Sequence, residues 1–268
     1  MVQMYSERDY NLLKESHKKN KRYRKRIVFF RLFAGFIIGC CIGGLLIFLP
    51  GKGEKNKNHG INVVKGLLLP SEHLIEVPCI SQYPDLPTGC ETCAAVMALD
   101  YLGIKADTVA FASMLPRNSL TSDEQGRYGE SPENYFIGNP FENEKSFGCF
   151  EQVIINTVNK QFANVSAEKV TGTLDDFCRK YICKDQPVIV WATMGMGEIT
   201  HTSHWRLPDG EEYYWPGGEH CLLLVGYDKE YYYFNDSMEG TVVSYDRKIS
   251  EEMYEQMGSR AVIIKLPD

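Results

Sequence analysis

The chain has 268 residues and a formal charge of −6, and it is long enough to bury a sizeable core once any leader is set aside. That charge hides a split: residues 1–50 carry ten Lys/Arg against three Asp/Glu, net +7, and the remainder carries nineteen against thirty-two, net −13. A basic head on an acidic body argues against nucleic acid as the partner of the body.

Residues 1–26 read as a basic tail ending in KKNKRYRKR (Lys18 to Arg26). The apolar run LFAGFIIGCCIGGLLIFL (Leu32 to Leu49) then holds 18 uncharged residues. As a helix it would be roughly 27 Å long, sufficient for a bilayer core. With Val28, Phe29 and Phe30 extending it, residues 27–49 are expected to form one transmembrane helix in contact with membrane lipid. The basic flank should stay in the cytoplasm, which places the rest of the chain outside the cell. A cleaved signal peptide fits less well, because the basic region is long and no A-x-A site follows. Gly35, Gly39 and Gly43 repeat every fourth residue and offer a face for dimerisation. Residues 50–72 are polar and Gly-rich at first and read as a linker.

Residues 73–268 read as a single globular domain. EVPCISQ (Glu76 to Gln82) is predicted as a short strand, YPDLPTG as a turn-rich loop, and CETCAAVMALDYLG as a helix ended by Gly103. That helix is apolar nearly all round and is therefore expected to be buried. Helical patterns recur at Ala106 to Leu115, Cys149 to Gln161 and Thr173 to Cys183. After Pro187 the pattern changes to strands: PVIVWATM, HCLLLVGYD, EYYYFND, GTVVSYD and SRAVIIKL. Helices first and an antiparallel sheet afterwards predict an α+β fold. Pro116 to Gly148 and Gly195 to Gly218 read as long loops of the kind that cover sites.

Cys90 and Cys93 stand three apart in that first helix. Zinc would need two more ligands at matching spacing, and neither Cys178/Cys183 nor His201/His204 supplies a clean signature. No metal or other cofactor is expected. A redox C-x-x-C pair normally sits in a βαβ unit, which this order of elements does not provide. A nucleophile fits better. Cys90 opens a buried helix, where unpaired N–H groups and a partial positive charge favour a thiolate. Cys93, one turn further in, reads as a small buried hydrophobe. Among six histidines, His220 stands where a Gly-rich loop enters an apolar strand. Asp236 ends the next strand, and a hairpin would set its carboxylate beside the imidazole.

VPCISQYPDLPTGCETCAAVMALDYLG, PVIVWATM, GEHCLLLVGYD and YYYFNDSMEG resemble, in that order, the peptidase C39-like family of papain-type cysteine peptidases. The resemblance runs from about Leu74 to Leu266. It implies a papain-like domain with Cys90 as nucleophile, His220 as base and Asp236 as orienting acid. It also implies that Gln82 donates to the oxyanion beside the Cys90 N–H. One departure is Ser237, where the family often has proline. With one span and no Walker A run, the chain is similar to the stand-alone, surface-anchored members. A peptide or protein is the substrate this implies. Trp205 and Trp215 are candidate substrate contacts. Two other readings remain: a thiol hydrolase of cell-wall peptides, and a non-catalytic surface module that binds peptide. The remaining cysteines would face an oxidising compartment, with no spacing that favours a particular disulfide.

Overall fold

A computed structural model describes residues 70–267. The expected basic tail, the membrane helix at 27–49 with its glycine face, and the linker up to residue 69 lie outside the described residues. Among the described residues no helix is long and apolar enough to cross a membrane.

The domain is built on one antiparallel sheet of seven strands. In sequence order these are β1 (His73–Leu74), β6 (Ser166–Lys169), β7 (Val188–Thr193), β10 (Glu219–Tyr227), β11 (Tyr231–Asp236), β12 (Thr241–Asp246) and β13 (Ala261–Lys265). Their spatial order is β12-β11-β10-β7-β13-β6, with β1 added to the end of β10. All six residues of β7 and all nine of β10 are buried. Burial of successive residues means that both faces of the sheet centre are covered, which explains why these strands read as continuous apolar runs.

Helix α1 (Cys90–Tyr101) packs on β10, β7 and β11. Cys90 through Leu99 are all buried, as its unbroken apolar surface requires. Helix α2 (Thr108–Met114) starts where the Asp107 side chain accepts the Ala110 N–H, and helix α3 (Glu151–Gln161) packs on β6 and β13. Helix α4 (Leu174–Lys180) begins with a reciprocal capping box between Thr173 and Asp176, and helix α5 (Arg247–Gln256) is capped by Asp246. Glu251 on α5 accepts the Leu174 and Asp175 N–H groups, both at 2.9 Å, and so ties α5 to the start of α4.

Two expectations need correction. EVPCISQ is not a strand: the ladder with β10 ends at Leu74, with one further bond from the Ile75 N–H to the Val225 carbonyl, and Glu76 to Gln82 has no regular secondary structure. The two long loops are not structureless. They meet in a four-stranded sheet, β3 (Thr121–Asp123), β4 (Gly126–Tyr128), β8 (Thr200–Arg206) and β9 (Glu212–Gly217). A further pair, β2 (Arg117–Asn118) with β5 (Phe136–Ile137), is parallel. All seven described cysteines are free thiols.

Candidate active site

The sheet sets the geometry of the site. His220 lies one residue into β10, and Asp236 ends β11. Leu223 pairs with Asn235, so the next pair places Asp236 opposite Leu222, two residues from His220. Residues two apart on a strand share a face. His220 and Asp236 therefore project to the same side, and His220 Nε2 meets Asp236 Oδ1 at 2.8 Å. Both are almost fully buried. Burial alone would raise the Asp236 carboxyl. The His220 imidazole and the N–H groups of Glu239 and Met238 outweigh it, and the carboxyl is held below its usual range. Nδ1 of the imidazole is thereby left for the other side of the site.

Cys90 is brought to that side by the opening of α1. Gly89 precedes the helix, where a side chain would collide with Leu86 at 2.7 Å. The loop before it is anchored through Thr88, whose hydroxyl donates to the Asn139 and Glu142 carbonyls. Cys90 Sγ accepts the Cys221 N–H at 3.5 Å, so the sulfur sits against the residue that follows His220. Its thiol donates to Glu91 Oε2 at 3.4 Å. Among the described residues no hydrogen bond joins Cys90 to His220.

The expectation that the helix start makes Cys90 a thiolate does not hold. Burial, then the neighbouring Glu91 and Glu219 carboxyls and the Cys221 thiol, push the Cys90 thiol well above its ordinary value, and the Cys221 N–H opposes them only in part. The helix dipole acts on Cys90 from its own segment, whereas the two carboxyls oppose it. A glutamate inside an otherwise apolar helix was the available signal for Glu91. For Glu219 it was a carboxylate entering an apolar strand.

Gln82 is held through both its backbone and its side chain. Its backbone N–H donates to the Ser237 carbonyl at 2.9 Å. Its side-chain oxygen accepts the Ser237 hydroxyl at 2.8 Å, and Nε2 donates to the Pro87 carbonyl at 2.8 Å. The amide orientation is fixed from both ends, and an NH₂ group with one bond made keeps a second donor. Ser237, the departure from the family pattern, thus tethers the Gln82 segment to the end of β11. A proline there has no hydroxyl and cannot make this side-chain bond.

Trp205 and Trp215 are not cleft residues. Both are buried; they stack on each other, and Phe147 meets Trp205 tilted and Trp215 edge-on, at centroid separations of 5.3 to 6.3 Å. Trp205 also packs on Tyr213, and its Nε1–H donates to the Glu130 carbonyl. They join the four-stranded sheet to the rest of the core, and neither presents a face to a substrate. His201 and His204 lie exposed on β8 against Tyr214, and His73 meets Asp185. His220 is thus the histidine paired with Asp236. The donor atoms of Cys90, Glu91 and Glu219 lie within 4.8 Å of one another, and among the described residues no other such group of metal-ligating side chains occurs.

The site thus sets a buried cysteine at a helix start next to an imidazole–carboxylate pair on adjacent strands. The sequence profile of the Peptidase C39 like family matches residues 74–262, and the chain belongs to that family. The uncharacterized protein YvpB of Bacillus subtilis is 29% identical over 184 residues, which cover 68% of this chain and 71% of that protein. A crystal structure of a Bacillus anthracis protein, proposed to be a C39-like peptidase, superposes with a TM-score of 0.64 at 25% identity. The match covers 73% of this chain and 98% of that one.

Proposed function

We propose that the chain is a membrane-anchored cysteine peptidase whose Cys90 attacks the carbonyl carbon of a peptide bond in a protein or peptide substrate. The observation that carries this reading is the 2.8 Å His220–Asp236 pair, with the Cys90 sulfur held against the residue next to His220. In this reading His220 Nδ1 takes the thiol proton and then gives it to the leaving amine. Asp236, bonded at Nε2, holds the ring in place and stabilises the imidazolium. The remaining Gln82 N–H and the Cys90 backbone N–H meet the oxyanion, since the first N–H groups of a helix have no partner within it. Water then attacks the thioester with His220 as base, and the sulfur leaves. The contact from Cys90 to His220 would form when substrate binds, as catalytic hydrogen bonds often tighten only in the complex.

Anchoring rests on the sequence of residues 27–49 and their basic flank, with the domain outside the cell. Incubating the full chain with a mixture of peptides, and sequencing the products by mass spectrometry, tests the reaction. Cleavage that disappears in Cys90→Ala is expected. A parallel digest of purified cell wall separates a general peptidase from a hydrolase of wall peptides. Absence of cleavage in both would favour a binding module.

A further inference from the structure

The proposed mechanism leaves Glu91 and Glu219 unused, yet both converge on the sulfur. Glu91 is fully buried at the first turn of α1, and Glu219 is nine-tenths buried at the start of β10. They flank the two proposed catalytic residues in sequence, one after Cys90 and one before His220. Glu91 divides its oxygens: Oε1 accepts the Cys149 N–H at 2.7 Å, and Oε2 accepts the Cys90 thiol at 3.4 Å. The Cys149 carbonyl in turn accepts the Trp191 indole N–H at 2.9 Å. Gly148, at φ +147°, lets the chain pass between the carboxyls. A side-chain carbon there would lie 2.4 Å from Glu91 Oε1 and 3.2 Å from Glu219 Oε2. Among the described residues four buried side-chain oxygens lack a partner, and Glu219 Oε1 is the one that belongs to a carboxyl group.

Two carboxylates this close and this deep cannot both be charged, because each costs desolvation and repels the other. The groups facing them offer little compensation. The thiols Cys90, Cys149 and Cys221 and the Tyr213 phenol carry no positive charge. His220 faces Glu91 but is committed to Asp236. Arg260 faces Glu219 but is bonded to Glu133 and Glu151.

We propose that Glu91 and Glu219 form a carboxyl pair that retains one proton and, through the Glu91 hydrogen bond to the Cys90 sulfur, keeps the nucleophile a thiol until substrate is bound. Glu91 touches the reacting atom, and Glu219 acts through Glu91. The pair is a guard on the site described under the proposed function and rests on that reading for its purpose. A thiol resists alkylation and oxidation, whereas a thiolate invites both. Substrate that brings His220 to the sulfur would supply the alternative acceptor for the thiol proton.

The test reads the sulfur directly and does not depend on peptidase activity. The rate at which iodoacetamide alkylates each cysteine of the full chain is measured by peptide mass spectrometry between about pH 5 and 10, a range that spans the ordinary thiol value. Glu91→Gln keeps the size of the side chain and an oxygen for the Cys149 N–H. It should move the alkylation midpoint of Cys90 to lower pH and raise its rate at neutral pH about tenfold or more, as one pH unit of displacement requires. Glu219→Gln should move it in the same direction by less. Cys93, Cys149 and Cys221 are buried around the same site and should stay slow. An unmoved Cys90 profile in both variants overturns the proposal. So does equal acceleration of all four cysteines, which would mean that Glu91 maintains the fold. A wild-type brake released by EDTA also overturns it, since the three donor groups would then be holding a cation.

Discussion

Replacing Glu91 with glutamine should change how stability depends on pH, and the sign follows from its surroundings. Burial raises the Glu91 carboxyl from 4.5 to about 7, against hydrogen bonds from the Cys149 N–H and its own N–H. Between those values the carboxyl is protonated in the folded chain and ionised in the unfolded one, so the folded state binds the extra proton. Stability must therefore fall as pH rises through this window. At about 1.4 kcal/mol per pH unit the displacement amounts to about 3 kcal/mol, fully expressed above neutral pH and absent below about pH 4.5. Glu91→Gln cannot take part. The variant should gain on the wild type by about 3 kcal/mol between pH 4.5 and 7.5, whatever the offset between them at acid pH. Urea unfolding at a series of pH values measures this. It can be followed by tryptophan fluorescence, because Trp191, Trp205 and Trp215 are the three tryptophans of the chain and all are buried. Parallel pH profiles for the two proteins would refute the argument, since Glu91 would then be ionised in the fold.

Gln82→Ala should lower turnover about 10²- to 10³-fold, the usual loss for one oxyanion donor, while alkylation of Cys90 stays near the wild-type rate. Ser237→Ala removes the bond that fixes the Gln82 oxygen and should show a smaller loss of the same kind; equal loss of turnover and alkylation in either variant would assign the residue to the fold. Trp205→Ala should destabilise the domain by about 3–5 kcal/mol and leave KM of the folded protein unchanged. A KM effect without a stability effect would return Trp205 to the substrate cleft. Protease treatment of intact cells should remove a C-terminal epitope and spare a membrane fragment beginning before residue 27. A protected C-terminus, or a mature N-terminus beyond Pro50, would refute the proposed topology.

Much of the domain was legible because its central elements carry strong local patterns. Strands β7, β10, β11, β12 and β13 and helices α1, α2 and α3 fall within two residues of the segments read from the sequence. What was not legible depends on partners distant in the chain. The strand THTSHWR (β8) is polar and exposed along most of its length, because one edge of the small sheet is made by the turn-rich segment near Thr121 to Tyr128. A usable signal was present: Pro208-Asp209-Gly210 turns β8 into β9, with Gly210 at φ +94° and the Asp209 carboxylate accepting the Glu211 N–H. Helix α5 was missed because RKISEEMYEQ buries only Ser250, Met253 and Tyr254, a narrow stripe on a charged helix. At the site, the His220–Asp236 pairing followed from two strands joined by a short turn. Trp205 and Trp215 were misplaced because a tryptophan in a presumed loop looks available, whereas the loop is a sheet packed on the core. The state of Cys90 was misjudged for a related reason. The helix start is local and visible in sequence, but Glu219 arrives from 129 residues away.

Whether Cys90 cleaves peptide bonds is read by comparing cells carrying the wild-type chain with cells carrying Cys90→Ala. New peptide N-termini are quantified by mass spectrometry in the membrane and secreted fractions at matched expression. A set of termini present with Cys90 and lost with alanine is expected. Reproducing those termini with purified wild-type chain, but not with the variant, would tie them to this site. Identical termini in the two strains, together with no cleavage by the purified wild-type chain, would contradict cleavage by Cys90.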